Sequence, residues 1–153
     1  MGIVLPDGIL GNPGDEYIRY WILRHCWVLA SVDLPVESFI VEANVNILTS
    51  LVFLKKKPAT VIQAEDLGRK VDYAVFMAVA DKVGFDRRGN KLYKRSPDGE
   101  EILQDIIVEE KVRIGGSLQK RLLHRQERIL DDDLPEIAKA YAAFRTQNPE
   151  PGK

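Results

Sequence analysis

Cysteine and histidine are scarce in this chain: Cys26, His25 and His124 are the only ones among 153 residues. One thiol excludes an internal disulfide, and two imidazoles with it are too few for the usual zinc site, so no metal centre is expected. Neither histidine has a serine or cysteine at a telling spacing, which leaves a hydrolytic triad unsupported. Charge of one sign is also missing. The 22 Lys and Arg oppose 23 Asp and Glu, a net charge of −1, so no global field draws the chain to nucleic acid or membrane, and any basic patch must be local. No apolar run is long enough to span a bilayer, and no signal peptide opens the sequence. The expectation is a soluble, cytoplasmic protein with no membrane partner, large enough to bury most of its apolar surface.

What is present is a strand–helix alternation. Ile3–Pro6 is strand-like and begins so early that the chain looks cut at its start. Asn12-Pro13-Gly14 is a turn, and Asp15 and Glu16 favour a helix start by complementing its dipole. Ile18, Trp21, Ile22 and His25 then recur at helical spacing. Trp27–Leu34 and Ile47–Leu54 are apolar runs rich in β-branched residues, the mark of strands buried on both faces. Too few residues separate them for a helical crossover, so they pair antiparallel. Strand, helix, strand (Ile3–Pro6, Asp15–His25, Trp27–Leu34) makes a right-handed crossover between parallel strands, and Ile47–Leu54 returns the other way.

Beyond Pro58 the pattern predicts helices. Val71, Val75, Ala78 and Val79 line one face of a helix over Arg69–Val83. Ser117 caps another running to about Leu130, and Asp133-Leu134-Pro135-Glu136 starts a last one through Phe144. Two turn clusters, Asp86–Asn90 and Ser96–Gly99, bracket a small hairpin around KLYK. Ile102–Ile114 fits strand or helix equally. Asn148–Lys153 reads as a frayed tail.

GIVLPDGILGNP, VLASVDLPVESF, NILTSLVFLKKK, VFMAVADKVGFDRRGNKLYK and DDDLPEIAKAYAAFR occur in that order. Together they resemble the later part of the modification subunit of type I restriction–modification systems, N6-adenine DNA methyltransferases that use S-adenosylmethionine. The resemblance implies an α/β fold. It would be a partial Rossmann-like methyltransferase sheet of the last three strands, the final one antiparallel and inserted between strands five and six. Residues 1–57 would close the catalytic domain, and 58–153 would form a mainly helical extension with a small hairpin. Implied partners are DNA and the specificity and restriction subunits. The family's aromatic-x-Gly-x-Gly cofactor loop is missing, however, as is its Asn-Pro-Pro-aromatic motif; Asn12-Pro13-Gly14 and Asn148-Pro149-Glu150 lack the second proline. S-adenosylmethionine therefore belongs to the parent enzyme, no cofactor is expected for this chain alone, and no catalytic residue is assigned. Methyl transfer depends on holding both reactants together.

Phe39, in LPVESF, stands where the resemblance implies an aromatic stacking on a flipped-out base, against the alternative that it plugs the core. Six cations between Lys111 and Arg128 face one anion, Glu127; of these, Lys120, Arg121 and Arg125 are DNA-binding candidates on the expected helix, although a solvated face is the commoner cause of such a run. Arg87, Arg88 and Lys91, with Lys94 and Arg95, form a second candidate cluster in a turn-rich setting, against the same alternative of a solvated face. Ile114-Gly115-Gly116-Ser117 before a helix can hold an anion, but a capping turn is commoner. Asp131–Asp133 suit capping and solvation better than a metal. Lys55–Lys57 would guard a strand end against unwanted pairing.

Two function classes remain: a fragment of a DNA methyltransferase, inactive alone, or a non-catalytic DNA-binding or subunit-interaction module, which includes a gene remnant. In the first, the Ile3–Pro6 strand lacks its neighbours and its apolar edge favours self-association. Size-exclusion elution should then shift to larger species as concentration rises; a clean monomer throughout contradicts it.

Overall fold

A computed structural model describes residues 1–114 and 117–152, the side chains of Val41, Glu42 and Ile114 excepted. Its main sheet contains β1 (Gly2–Pro6), β2 (Cys26–Leu34), β3 (Thr49–Lys56) and β4 (Phe76–Val79), in the spatial order β1-β3-β2-β4. β3 runs antiparallel to both β1 and β2, while β4 lies parallel to β2. The return expected of the third strand is therefore found, two residues later than its apolar run suggested. It sits between the other two rather than at an edge, so both its backbone edges are paired.

Helices cover both faces. α1 (Asp7–Gly11) follows β1 directly, and α2 (Glu16–His25) carries Glu16 in its first turn with Arg24 and His25 in its last, each sign matched to the helix dipole. Ile22 and Leu23 of α2 close an apolar cleft with Leu5, Val28 and Val52. On the opposite face lies α5 (Leu134–Gln147), whose Tyr141 and Phe144 meet Phe76 with ring centres 5.4 and 5.5 Å apart. Between these layers Trp27, Ala30, Val32, Val52 and Leu54 are buried. This is a mixed α/β arrangement, and among the described residues no helix is long and apolar enough to cross a membrane.

The region after residue 57 departs from the helical expectation. α4 (Ala59–Asp66) is capped by Pro58 and stopped at Gly68, whose φ of +83° suits only a residue without a side chain. Residues 69–75 then have no regular structure, and β4 replaces the helix expected over Arg69–Val83. A continuous apolar run satisfies helical and strand spacing alike. The open edge of β2 decides between them, because residues 76–79 can pair along it as a parallel edge strand.

The helix expected from Ser117 is likewise a strand. β5 (Leu103–Ile114) and β6 (Ser117–Arg128) form a separate two-stranded antiparallel ribbon, twelve residues in each strand. Leu118, Leu122 and Ile129 match a helical stripe, but β5 supplies a partner across the whole length of β6. Gly115 and Gly116, central to the anion-holding turn, lie outside the described residues; Ser117 opens a strand, so the helix that reading required does not exist. The KLYK segment forms isolated bridges, Phe85 with Lys91, Tyr93 with Leu130 and Arg95 with Glu101, rather than a regular hairpin.

Two expectations about charge and ends also fail. Lys57 does not guard a strand end: its side chain is 5% exposed and its ammonium donates to both oxygens of Glu65 (2.9 and 2.8 Å) and to the carbonyl of Leu23. Residues 148–152 do not fray. Lys55 Nζ donates to the carbonyl of Pro151 (2.9 Å) and lies 3.3 Å from Glu150. Gly152 approaches so near that a Cβ there would fall 2.3 Å from the Trp27 ring. The indole is a flat lid-seat that only a glycine backbone can reach.

Removing one member of the Lys57–Glu65 pair strands the other in a dry site, whereas replacing both with apolar groups does not. Glu65→Ala should cost about 3 kcal/mol in chemical denaturation. The double substitution Lys57→Met, Glu65→Leu should lie within about 1 kcal/mol of the parent chain.

Candidate nucleic-acid interface

β1, β2 and β4 all point the same way, so their carboxyl ends share one rim of the sheet, the side on which open α/β sheets bind ligands. Three short connections leave this rim: Pro6 into α1, Leu34-Pro35 into α3 (Glu37–Ala43), and Ala80 into the loop ending in Arg87-Arg88. Asn44, with φ of +50°, ends α3 in a left-handed turn.

A hydroxyl ties the rim together. Ser50, buried at the start of β3, lies 2.8 Å from Asp33 Oδ1 and 3.1 Å from Asp7 Oδ1. Its single proton goes to one carboxylate at a time, so the oxygen pins the ends of β1 and β2 to β3 by alternation. A second tie fastens the β4 end to α5: Asp133 Oδ2 accepts the backbone N–H of Asp81 and of Lys82 at 3.0 and 2.9 Å. Lys82 also donates to Asp131 (2.8 Å), which raises its ammonium above the usual lysine range. The acidic run thus serves loop closure and an ion pair.

Phe39 stands in the first turn of α3, half-buried against Val32, Leu34 and Ala80. It lines a cavity of about 310 Å³ with Leu34, Ser38, Val83, Phe85 and Leu134. Ser38 Oγ is buried without a hydrogen-bond partner among the described residues. A second cavity of about 430 Å³ adjoins it through shared walls, Glu37, Val83 and Phe85, and is lined in addition by Arg87 and Arg88. Phe39 and the Arg87/Arg88 cluster, 48 residues apart at the nearest, therefore meet around one composite groove.

Glu37 fastens that groove. Its Oε1 accepts Nε–H of Arg87 at 3.0 Å. Its own backbone N–H, together with the Arg87 guanidinium, holds the carboxyl below the usual glutamate range. The next loop is preorganised by Asp86, which accepts Asn90 Nδ2–H and the backbone N–H of Asn90 and Arg88, each at 2.8 Å. Those bonds, with Asn90 foremost, lower its carboxyl as well.

Neither a scan of protein-family models nor a search of curated proteins finds a match to this chain.

The remaining candidates fall elsewhere. Lys91 and Arg125 line a cavity of about 420 Å³ at the base of the ribbon, with Tyr93, Leu103 and Leu130. Lys120 and Arg121 lie farther along β6 and share no helix face with Arg125. On a strand, residues 120 and 121 face opposite ways, and Arg121 and Arg125 share a side. Arg125 is moreover paired with Glu127. Glu37, Phe85 and Ser50 were not visible as site residues in the sequence; only the Asp-Arg-Arg-Gly-Asn turn signalled an ordered loop nearby.

Glu37 has a depressed pKa, so its pairing contributes stability above the normal glutamate pKa and loses it as pH falls through the lower folded value. Arg87 is mostly exposed, which limits the effect to about 1 kcal/mol or less. Glu37→Gln should reduce stability at pH 7, and the difference from the parent should vanish in acid; an unchanged gap in pH-dependent urea denaturation contradicts the pairing.

Proposed function

We propose that this chain is the closing portion of a modification subunit of the type I restriction–modification kind, an N6-adenine DNA methyltransferase whose cofactor and catalytic motifs lie in another segment. The single observation that carries the reading is the strand order β1-β3-β2. Two parallel strands with an antiparallel return slotted between them form the order that the resemblance implies for strands five, seven and six. The fourth strand, β4, extends that pattern beyond what the resemblance implies.

Phe39 supports the same reading. It follows the strand expected to be the sixth and borders a cavity on the rim where a base would be received. Extruding a base costs a few kcal/mol, and a π-face offsets part of it. Arg87 and Arg88 line the adjoining space, and on this reading their charge would meet backbone phosphates. Partners on this reading are DNA and the specificity and restriction subunits.

S-adenosylmethionine does not fit the residues present. After β1 the chain enters α1 at once, and the Asp7 N–H donates to the Leu48 carbonyl (3.0 Å), closing the strand end. A Cβ on Gly8 would meet Asn12 Nδ2 at 3.0 Å, so that turn is a filled corner and not a cradle. No step is therefore assigned to this chain through the cofactor.

A second reading, an interaction or DNA-binding module without catalysis, is favoured by the ribbon, which projects as a sheet of its own. The two separate cleanly by experiment. The purified chain with S-adenosylmethionine and DNA should transfer no methyl group. Mixed with a polypeptide carrying the cofactor loop and the Asn-Pro-Pro-aromatic motif, it should restore adenine methylation. Phe39→Ala should then lower the rate roughly 10- to 100-fold, the equivalent of one stacked base. Failure of every such mixture to methylate, with both parts folded, leaves the interaction module.

A further inference from the structure

Among the described residues, the contacts of the β5–β6 ribbon with the body lie at its base. There Arg128 pairs with Glu101 (3.2 Å) and lies over the Tyr93 ring at 5.0 Å, while the backbone of Ile129 donates to Ile102. Twelve residues of strand carry its far end roughly 40 Å away. An isolated two-stranded ribbon is marginally stable in water, and this one leaves Leu118 and Leu122 60% or more exposed.

Its register shows an unusual charge arrangement. Lys111 stands directly opposite Lys120, and Arg113, two residues on, opposite Leu118. Opposed residues share a face, so three cations occupy one side of the distal half. Like charges directly across a strand pair are destabilising. Lys120 is drawn toward Glu109 at 2.9 Å, whereas Lys111 and Arg113 have no carboxylate in ion-pair range among the described residues. A fold that keeps two lysines face to face, on a ribbon whose distal half has no packing partner among the described residues, is complementary to a polyanion that would separate them.

We infer that this ribbon is an arm that grips duplex DNA, with Lys111, Arg113 and Lys120 contacting backbone phosphates. A two-stranded ribbon fits the major groove of B-DNA, and exposed leucines beside the cations suit sugar edges and thymine methyl groups. The inference rests on DNA being the partner in the proposed function, but not on methyl transfer.

Fluorescence anisotropy of a labelled duplex, titrated with the whole chain from about 50 to about 200 mM salt, tests it. The parent chain should bind with a steep inverse salt dependence. K111Q/R113Q/K120Q should bind at least tenfold more weakly and lower the slope of log K against log salt by about 3. Its melting temperature should stay close to the parent's, since the Lys111–Lys120 repulsion and the exposed Lys120–Glu109 pair are removed together. E109Q frees Lys120 and should bind several-fold more tightly, a gain that misfolding cannot imitate. Parent-like affinity and slope in the triple variant overturn the arm while leaving the methylation assay to judge the parent reading. Stronger competition by phosphatidylserine vesicles than by unlabelled duplex also overturns it.

Discussion

The structure depends on β3 lying between β1 and β2. That strand is paired on both sides, along Thr49–Phe53 to Gly2–Pro6 and along its length to Cys26–Leu34. Because it runs against both neighbours, it forces them to be parallel, which sets their carboxyl ends on one rim. Buried amide groups must be paired, so a β3 displaced to either edge would leave one neighbour unpaired in the interior. Trp27, Val32, Val52 and Leu54 then become core as a consequence of the insertion.

From that constraint follows where chemistry can gather. Each connection leaving the rim is short and is tied by a polar side chain: Ser50 between Asp7 and Asp33, Glu37 to Arg87, and Asp133 to the amides of Asp81 and Lys82. These ties act across large sequence distances and fix the loops that leave the rim, Glu37 and Arg87 among the walls of the composite groove. The charge in the groove is organised by hydrogen bonds to ionised carboxylates, which keep Glu37 and Asp86 charged well into mild acid.

The ribbon obeys a different logic. The central strands β2 and β3 are stabilised by burial, whereas β5 and β6 are stabilised mainly by each other. Their register puts charges together that a solvated helix would have kept apart. The run between Lys111 and Arg128 is thus divided by strand geometry into two sides, with Lys111, Arg113 and Lys120 on one and Arg121 and Arg125 on the other.

Local pattern determined the first half of the chain. The apolar runs at Trp27–Leu34 and Ile47–Leu54, the stretch of Ile18 to His25 and the turn at Asn12–Gly14 each carry a period or a punctuation mark that short-range sterics enforce; Arg87/Arg88 stood out by their turn-rich setting, whereas Phe39 was a candidate only through the family resemblance. Only tertiary structure decided between strand and helix at residues 76–79 and 117–128, because an apolar run fits either period until a sheet edge or a facing strand offers hydrogen bonds. It alone brought Glu37 to Arg87, buried Lys57 against Glu65 and laid Pro151 and Gly152 over Trp27. Those contacts join residues that have no spacing relation in the sequence, and their energies exist only once desolvation has brought them side by side.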